Sequence, residues 1–204
     1  MTRSGVSTVA AAWQAGDRTP VPLKDATVAW ALAAHTELAE IATGYGYFIT
    51  VTELAERVQE VSGVHTAAPT RTWMEAILRK VARRCHKAGE PPLTALCVRQ
   101  NHTVGEAYKY VLELAALPVP DDLELHAAYA RWQCYQFHGA EMPEDFTVPP
   151  LTPKVASRRR PAAKMTTQVT HTGAAAEPAQ PAREAVCSQC FMQLPRAGTC
   201  LNCL

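Results

Sequence analysis

Proline punctuates this chain, and its spacing sets how long any helix can run. Proline locks φ, lacks a backbone donor and clashes with the preceding turn, so helix interiors exclude it. Pro22, Pro69, the pair Pro91-Pro92, and Pro118 with Pro120 leave uninterrupted windows between them. After residue 140 the prolines crowd: Pro143, Pro149, Pro150, Pro153, Pro161, Pro178 and Pro181. This pattern predicts a helical domain before 140 and an extended, coreless segment after it.

The windows carry helical periodicity. From about 23 to 43, Trp30, Ala34, Leu38 and Ile41 recur on one face, and Gly44-Tyr45-Gly46 ends the run. Thr50-Val51-Thr52-Glu53 is a capping-box sequence, which predicts a helix from about 51 to 61, closed by Gly63. A third helix is predicted from about 71 to 88, ending at Gly89. Trp73, Met74, Ile77, Leu78, Val81 and Cys85 share one arc of it, and Arg79, Lys80, Arg83 and Lys87 the other, with Arg84 at the edge. Leu93–Arg99 reads as a strand, with a turn candidate at Gln100–His102. Residues 106–116 read as helical, with a strand over 104–111 as the alternative. Asp121 or Asp122 caps a last helix to His138, whose inner face would be Leu123, Ala127, Ala130, Cys134 and Phe137.

These readings give four regions. Residues 1–20 are a loose N-terminal arm, 21–140 a helical domain, 141–185 a Pro/Ala-rich disordered linker, and 186–204 a small C-terminal module. The fold class is mainly α with a small β element. No apolar run approaches the ~20 residues of a membrane span, and residues 1–20 lack a signal-peptide h-region.

The formal charge is +1, from 20 Lys+Arg against 19 Asp+Glu. That excludes a uniformly basic nucleic-acid coat and an acidic disordered chain. The balance is a sum of blocks. Residues 23–60 carry −4, 71–99 carry +5, 105–145 carry −6 and 154–164 carry +5. Such segregation marks either a surface for a polyanion or complementary packing between blocks.

The C-terminal module carries the firmest chemical signal. Cys187-Ser188-Gln189-Cys190 and Cys200-Leu201-Asn202-Cys203 are two Cys-x2-Cys knuckles. Four thiolates meet the count of a closed tetrahedral Zn²⁺ site, so one structural Zn²⁺ is expected on Cys187, Cys190, Cys200 and Cys203. So short a segment has too little core to fold alone, and zinc would supply about 10 kcal/mol. Two disulfides are the alternative. A reducing, cytoplasmic compartment favours metal. Residues 187–203 resemble the small zinc-ribbon tails of many bacterial proteins. The remaining thiols, Cys85, Cys97 and Cys134, read as core residues.

Two helices, a connection, then a basic third helix followed by a strand is the order of a winged helix-turn-helix, whose third helix enters the major groove. Arg79, Arg83 and Lys87 at i, i+4, i+8 suit phosphates or guanine edges. Arg99, Asn101 and His102 would sit at a wing tip. The nine-residue connection before the third helix is longer than the usual three- or four-residue turn. Thr52-Glu53-Leu54-Ala55, Gly89–Leu96 and Gly105-Glu106-Ala107-Tyr108 resemble small winged-helix-type modules of bacterial and phage proteins, some joined to restriction-type nucleases. That resemblance covers residues 48–110. Ala107 stands where those modules often have a second Gly, and no nuclease signature accompanies it. It implies DNA contact by Arg79, Lys80, Arg83, Arg84, Lys87 and Arg99. Arg158, Arg159 and Arg160 in the linker would add phosphate contacts without sequence reading.

Catalytic constellations are not legible. There is no phosphate loop, no His-Glu-x-x-His run and no Ser-His-Asp pattern. Cys134 and His138, at i, i+4, read first as a core thiol beside a part-exposed imidazole. The expected function is therefore a non-enzymatic bacterial or phage DNA-binding accessory or transcription-regulating protein with a structural zinc ribbon. The alternative is a protein-protein interaction adaptor. Duplex DNA, a protein and a second copy of the chain are the candidate partners, and a membrane is not.

Overall fold

The computed structural model describes residues 12–144 and 148–159. Within them the chain is mainly helical with two small sheets. The helices are α1 (Leu23–Ala42), α2 (Val51–Ser62), α3 (Thr70–Ala88), α4 (Glu106–Leu114), α5 (Leu123–Phe137) and the short α6 (Pro153–Arg159). The strands are β1 (Ala12–Gln14), β2 (Pro20–Val21), β3 (Ile49–Thr50), β4 (Val64–Thr66) and β5 (Cys97–Val98).

The core is built where α1, α2 and α3 meet. Trp30 of α1 is buried against Trp73 of α3, with ring centroids 4.6 Å apart. Its Nε1 donates to the Val64 carbonyl at 2.7 Å, so the large apolar ring is buried without stranding its one donor. Leu38, Leu54, Val58, Met74, Ile77 and Val81 fill the space around it. All six apolar positions read on one arc of the third helix are buried. The capping box forms in full: Glu53 N donates to Thr50 Oγ1 at 3.3 Å, and Thr50 N donates to Glu53 Oε2 at 2.9 Å. The Thr50 hydroxyl, donating to Glu53 Oε2 at 2.7 Å, and then the Thr50 amide hold the Glu53 carboxyl below its ordinary range. Asp122 caps α5 by accepting from Leu125 N at 2.9 Å.

Four expectations are corrected. Residues 12–21 belong to a sheet rather than to a loose arm. β1 pairs antiparallel with both β2 and β4, in the order β2-β1-β4. Gly16, at φ +95°, makes the turn, and Asp17 locks it by accepting from Thr19 N at 2.9 Å and Thr19 Oγ1 at 2.6 Å. Leu93–Leu96 form a 3-10 turn, not a strand. The prolines at 91 and 92 deliver the chain into it, and Ala95 N donates back to the Pro92 carbonyl at 2.9 Å. Only Cys97 and Val98 extend, pairing parallel with β3. The segment read as a disordered linker contains α6, anchored by the buried Val155 and by Thr152, whose hydroxyl donates to the His102 carbonyl. Last, Phe137 is 57 % exposed rather than on the inner face of α5, its ring against His138 at 5.2 Å.

The α2–α3 connection also departs from a helix-turn-helix, because β4 runs through it as a sheet strand. The hairpin after α3 is minimal. One antiparallel bridge joins Val98 to Val104 around a turn in which Arg99 N donates to the Thr103 carbonyl at 2.8 Å. Its tip is tied down. Lys154 Nζ donates to the Gln100 carbonyl, and Thr152 Oγ1 to the His102 carbonyl, both at 2.8 Å.

Candidate nucleic-acid interface

The third helix presents its basic face because its apolar arc is consumed by the core. The next residues outward are cations. Lys80, Arg83, Arg84 and Lys87 line one open basin at the C-terminal half of α3. Arg83, Arg84 and Lys87 are exposed and Lys80 is half-buried. Among the described residues none of the four has a carboxylate within ion-pair distance. Four unneutralised charges on one concave surface create a local positive potential that a phosphate backbone satisfies.

The other expected contacts are placed differently. Arg79 is turned aside: its Nε donates to Glu75 Oε1 at 3.2 Å, and its guanidinium lies over the Tyr110 ring at 4.8 Å. Arg99 Nη2 pairs with Glu106 Oε1 at 3.1 Å, and Lys109 reaches the same oxygen at 3.0 Å. Hydrogen bonds from Lys109 lead the causes that hold the Glu106 carboxyl down. Arg159 makes a bidentate pair with Asp122, at 2.6 and 2.7 Å. That pair, with the Leu125 amide, holds Asp122 down to about 2. Arg158 has no ion pair among the described residues. Arg160 and the four zinc candidates, Cys187, Cys190, Cys200 and Cys203, lie outside the described residues.

A second constellation escaped the sequence reading. His35 on α1, Cys85 on α3 and Glu90 just beyond α3 place their donor atoms within 4.8 Å of one another. His35 Nε2 lies 3.0 Å from Glu90 Oε2. Gly89, at φ +69°, makes this possible. It takes the left-handed conformation that ends the helix, and Glu90 N then donates back to the Cys85 carbonyl at 2.9 Å. Burial pushes the Cys85 thiol up to about 11, against the Leu93 amide that stabilises the thiolate, and the Glu90 charge adds to the rise. His138, at the end of α5, keeps a buried Nε2 without a hydrogen-bond partner. Burial lowers its pKa, while the nearby Glu90 opposes that.

Cys85 and Glu90 also form part of the wall of a 350 Å³ cavity between α3, α4 and α5. Val111, Leu112 and Leu117 line it, and Tyr108 Oη sits 2.8 Å from His126 Nδ1 at its edge. His35 lies 50 residues before Cys85, so no local spacing could have announced the cluster. Among the described residues no helix is long and apolar enough to cross a membrane.

Compared with known proteins, the chain matches no family model, no curated protein and no solved structure.

Proposed function

We propose that this protein is a non-enzymatic DNA-binding accessory or regulatory protein, gripping the phosphate backbone of duplex DNA through the C-terminal half of α3. The observation that carries this reading is the cluster of Lys80, Arg83, Arg84 and Lys87 on one open surface with no carboxylate partner among the described residues. A basic helix followed by a tied hairpin is consistent with this reading, although β4 in the α2–α3 connection departs from a helix-turn-helix. The contact is therefore assigned to the backbone and not to base reading. Cys187, Cys190, Cys200 and Cys203 are the donor set of a closed structural Zn²⁺ site that would fold a C-terminal ribbon.

Retardation of a duplex by the full chain tests the reading. Binding that survives charge reversal at Arg83, Arg84 and Lys87 would refute it. The ribbon is tested by elemental analysis after substitution of its cysteines.

A second reading, a protein-docking adaptor, rests on a different surface. α1 exposes Val28 and Leu32, one turn apart, at 48 and 51 %. The same experiment separates the two, since an adaptor leaves the duplex unretarded.

A further inference from the structure

We propose that His35, Cys85 and Glu90 form a metal site of their own, taking one zinc-class divalent ion with a coordination position left open toward the cavity between α3, α4 and α5. The donor set is one imidazole, one thiolate and one carboxylate, the mixed N, S, O chemistry that Zn²⁺ accepts. Hard cations such as Mg²⁺ and Ca²⁺ are disfavoured by the sulfur.

The geometry is close to what ligation needs. The three donor atoms already lie within 4.8 Å of one another, and His35 Nε2 and Glu90 Oε2 are 3.0 Å apart. Bonds of about 2.0–2.3 Å around a tetrahedral ion require donors roughly 3–4 Å apart. Only a small contraction of the sulfur toward the other two is needed. Each donor also comes from a fixed place. His35 sits mid-helix on α1, Cys85 is 1 % exposed on α3, and Glu90 is held by the Gly89 turn. Rigid placement from separate elements lowers the cost of organising ligands. The His35 and Glu90 side chains are 16 % and 24 % exposed, which leaves a route for the ion.

Two further observations point the same way. Cys85 and Glu90 are both cavity-lining residues, so an ion bound between them borders that space. Three protein ligands and one exchangeable position is the arrangement of reactive zinc sites, in contrast to closed four-thiolate sites. His138 Nε2, buried and unpartnered, is not among the three donors, so the fourth position stays open. On binding, Cys85 gives up its thiol proton to solvent and the ion takes the thiolate.

The test uses the full chain with Cys187→Ser, Cys190→Ser, Cys200→Ser and Cys203→Ser, so that no ribbon ligand competes. Zn²⁺ is titrated against a chromophoric chelator, and Co²⁺ is added separately for its absorption spectrum. The expected result is one ion per chain, with a thiolate-to-cobalt charge-transfer band. His35→Ala should abolish binding. Glu90→Gln, which leaves His35 a hydrogen-bonding partner and so protects the fold, should weaken it by about 10- to 100-fold. Circular dichroism checks that both variants remain helical. If the four-serine chain binds no ion, or binds one with equal affinity with and without His35→Ala or Glu90→Gln, the proposal is overturned. Neither result touches the DNA reading, which rests on a different face of α3.

Discussion

Two basic regions of this molecule have similar sequence charge and opposite fates. On α3, Lys80, Arg83, Arg84 and Lys87 stand together without carboxylate partners among the described residues. Around the short hairpin and α6, Arg99 and Arg159 are each clasped by an acid, Glu106 and Asp122. Along the chain, Lys80–Lys87 and Arg99 share one +5 block, 71–99, and Arg159 lies in the other, 154–164. The difference arises because α5 and α4 bring their acids to the second region and not to the first. A basic run advertises charge, but tertiary pairing decides whether a polyanion can use it. An arginine already held bidentate must lose that pair before it can bind phosphate.

Reversing the unpaired group should have the largest effect. The variant Arg83→Glu, Arg84→Glu and Lys87→Glu should lower duplex affinity by about 10²-fold at low salt, measured by fluorescence anisotropy. Next comes the cap that anchors the paired group. Asp122→Ala should cost about 1 kcal/mol in chemical denaturation, because α5 loses its N-cap. Asp122→Asn keeps the cap and removes only the ion pair with Arg159, so it should cost a few tenths of a kcal/mol. A smaller change is expected in binding when the paired cations are reversed. Arg99→Glu with Arg159→Glu should shift duplex affinity by about twofold or less, since neither charge was free. Equal losses from both sets of reversals would break the comparison.

The smallest effect is on pH. Asp122 is depressed from 3.8 to about 2 in the folded chain. A depressed carboxyl stabilises the fold above its unfolded value, and that contribution disappears as the pH falls from 3.8 through about 2. Both partners are exposed beyond a third, so solvent screens most of it. Melting temperature followed down this range should fall slightly more for wild type than for Asp122→Asn.

Much of the helical frame was legible. α2, α3 and α5 each have a local stop or start that works on its own: the Thr50–Glu53 box, the Asp122 cap, the glycines at 63 and 89. Those signals act within a few residues, so a linear reading captures them. The strands were less legible, because two- and three-residue strands have no periodicity and are set by distant partners. β1 pairs with the local β2 but also with β4, about 50 residues away. Gly16-Asp17 and Thr19-Pro20 read only as part of a loose arm, and nothing local showed what a hairpin there would join. Leu93–Leu96 misled because an apolar run fits a buried 3-10 turn as well as a strand. At the site, the basic arc of α3 was readable from helical spacing alone. The clasping of Arg79, Arg99 and Arg159 was not, since it depends on Glu75, Tyr110, Glu106 and Asp122. The His35–Cys85–Glu90 cluster was equally hidden, because α1 and the end of α3 meet only in three dimensions.

The central claim is that four unpaired cations on α3 grip the DNA backbone. Salt dependence tests it most directly, because each neutralised phosphate releases counterions. Duplex affinity of the full chain is measured over a range of salt, for wild type and for Lys80→Glu, Arg83→Glu, Arg84→Glu and Lys87→Glu together. Wild type should show a log–log slope of about −3 to −4, as four phosphate contacts require. The variant should lose nearly all of that slope along with its affinity. A wild-type slope near zero, or one that the four reversals leave unchanged, would contradict the account.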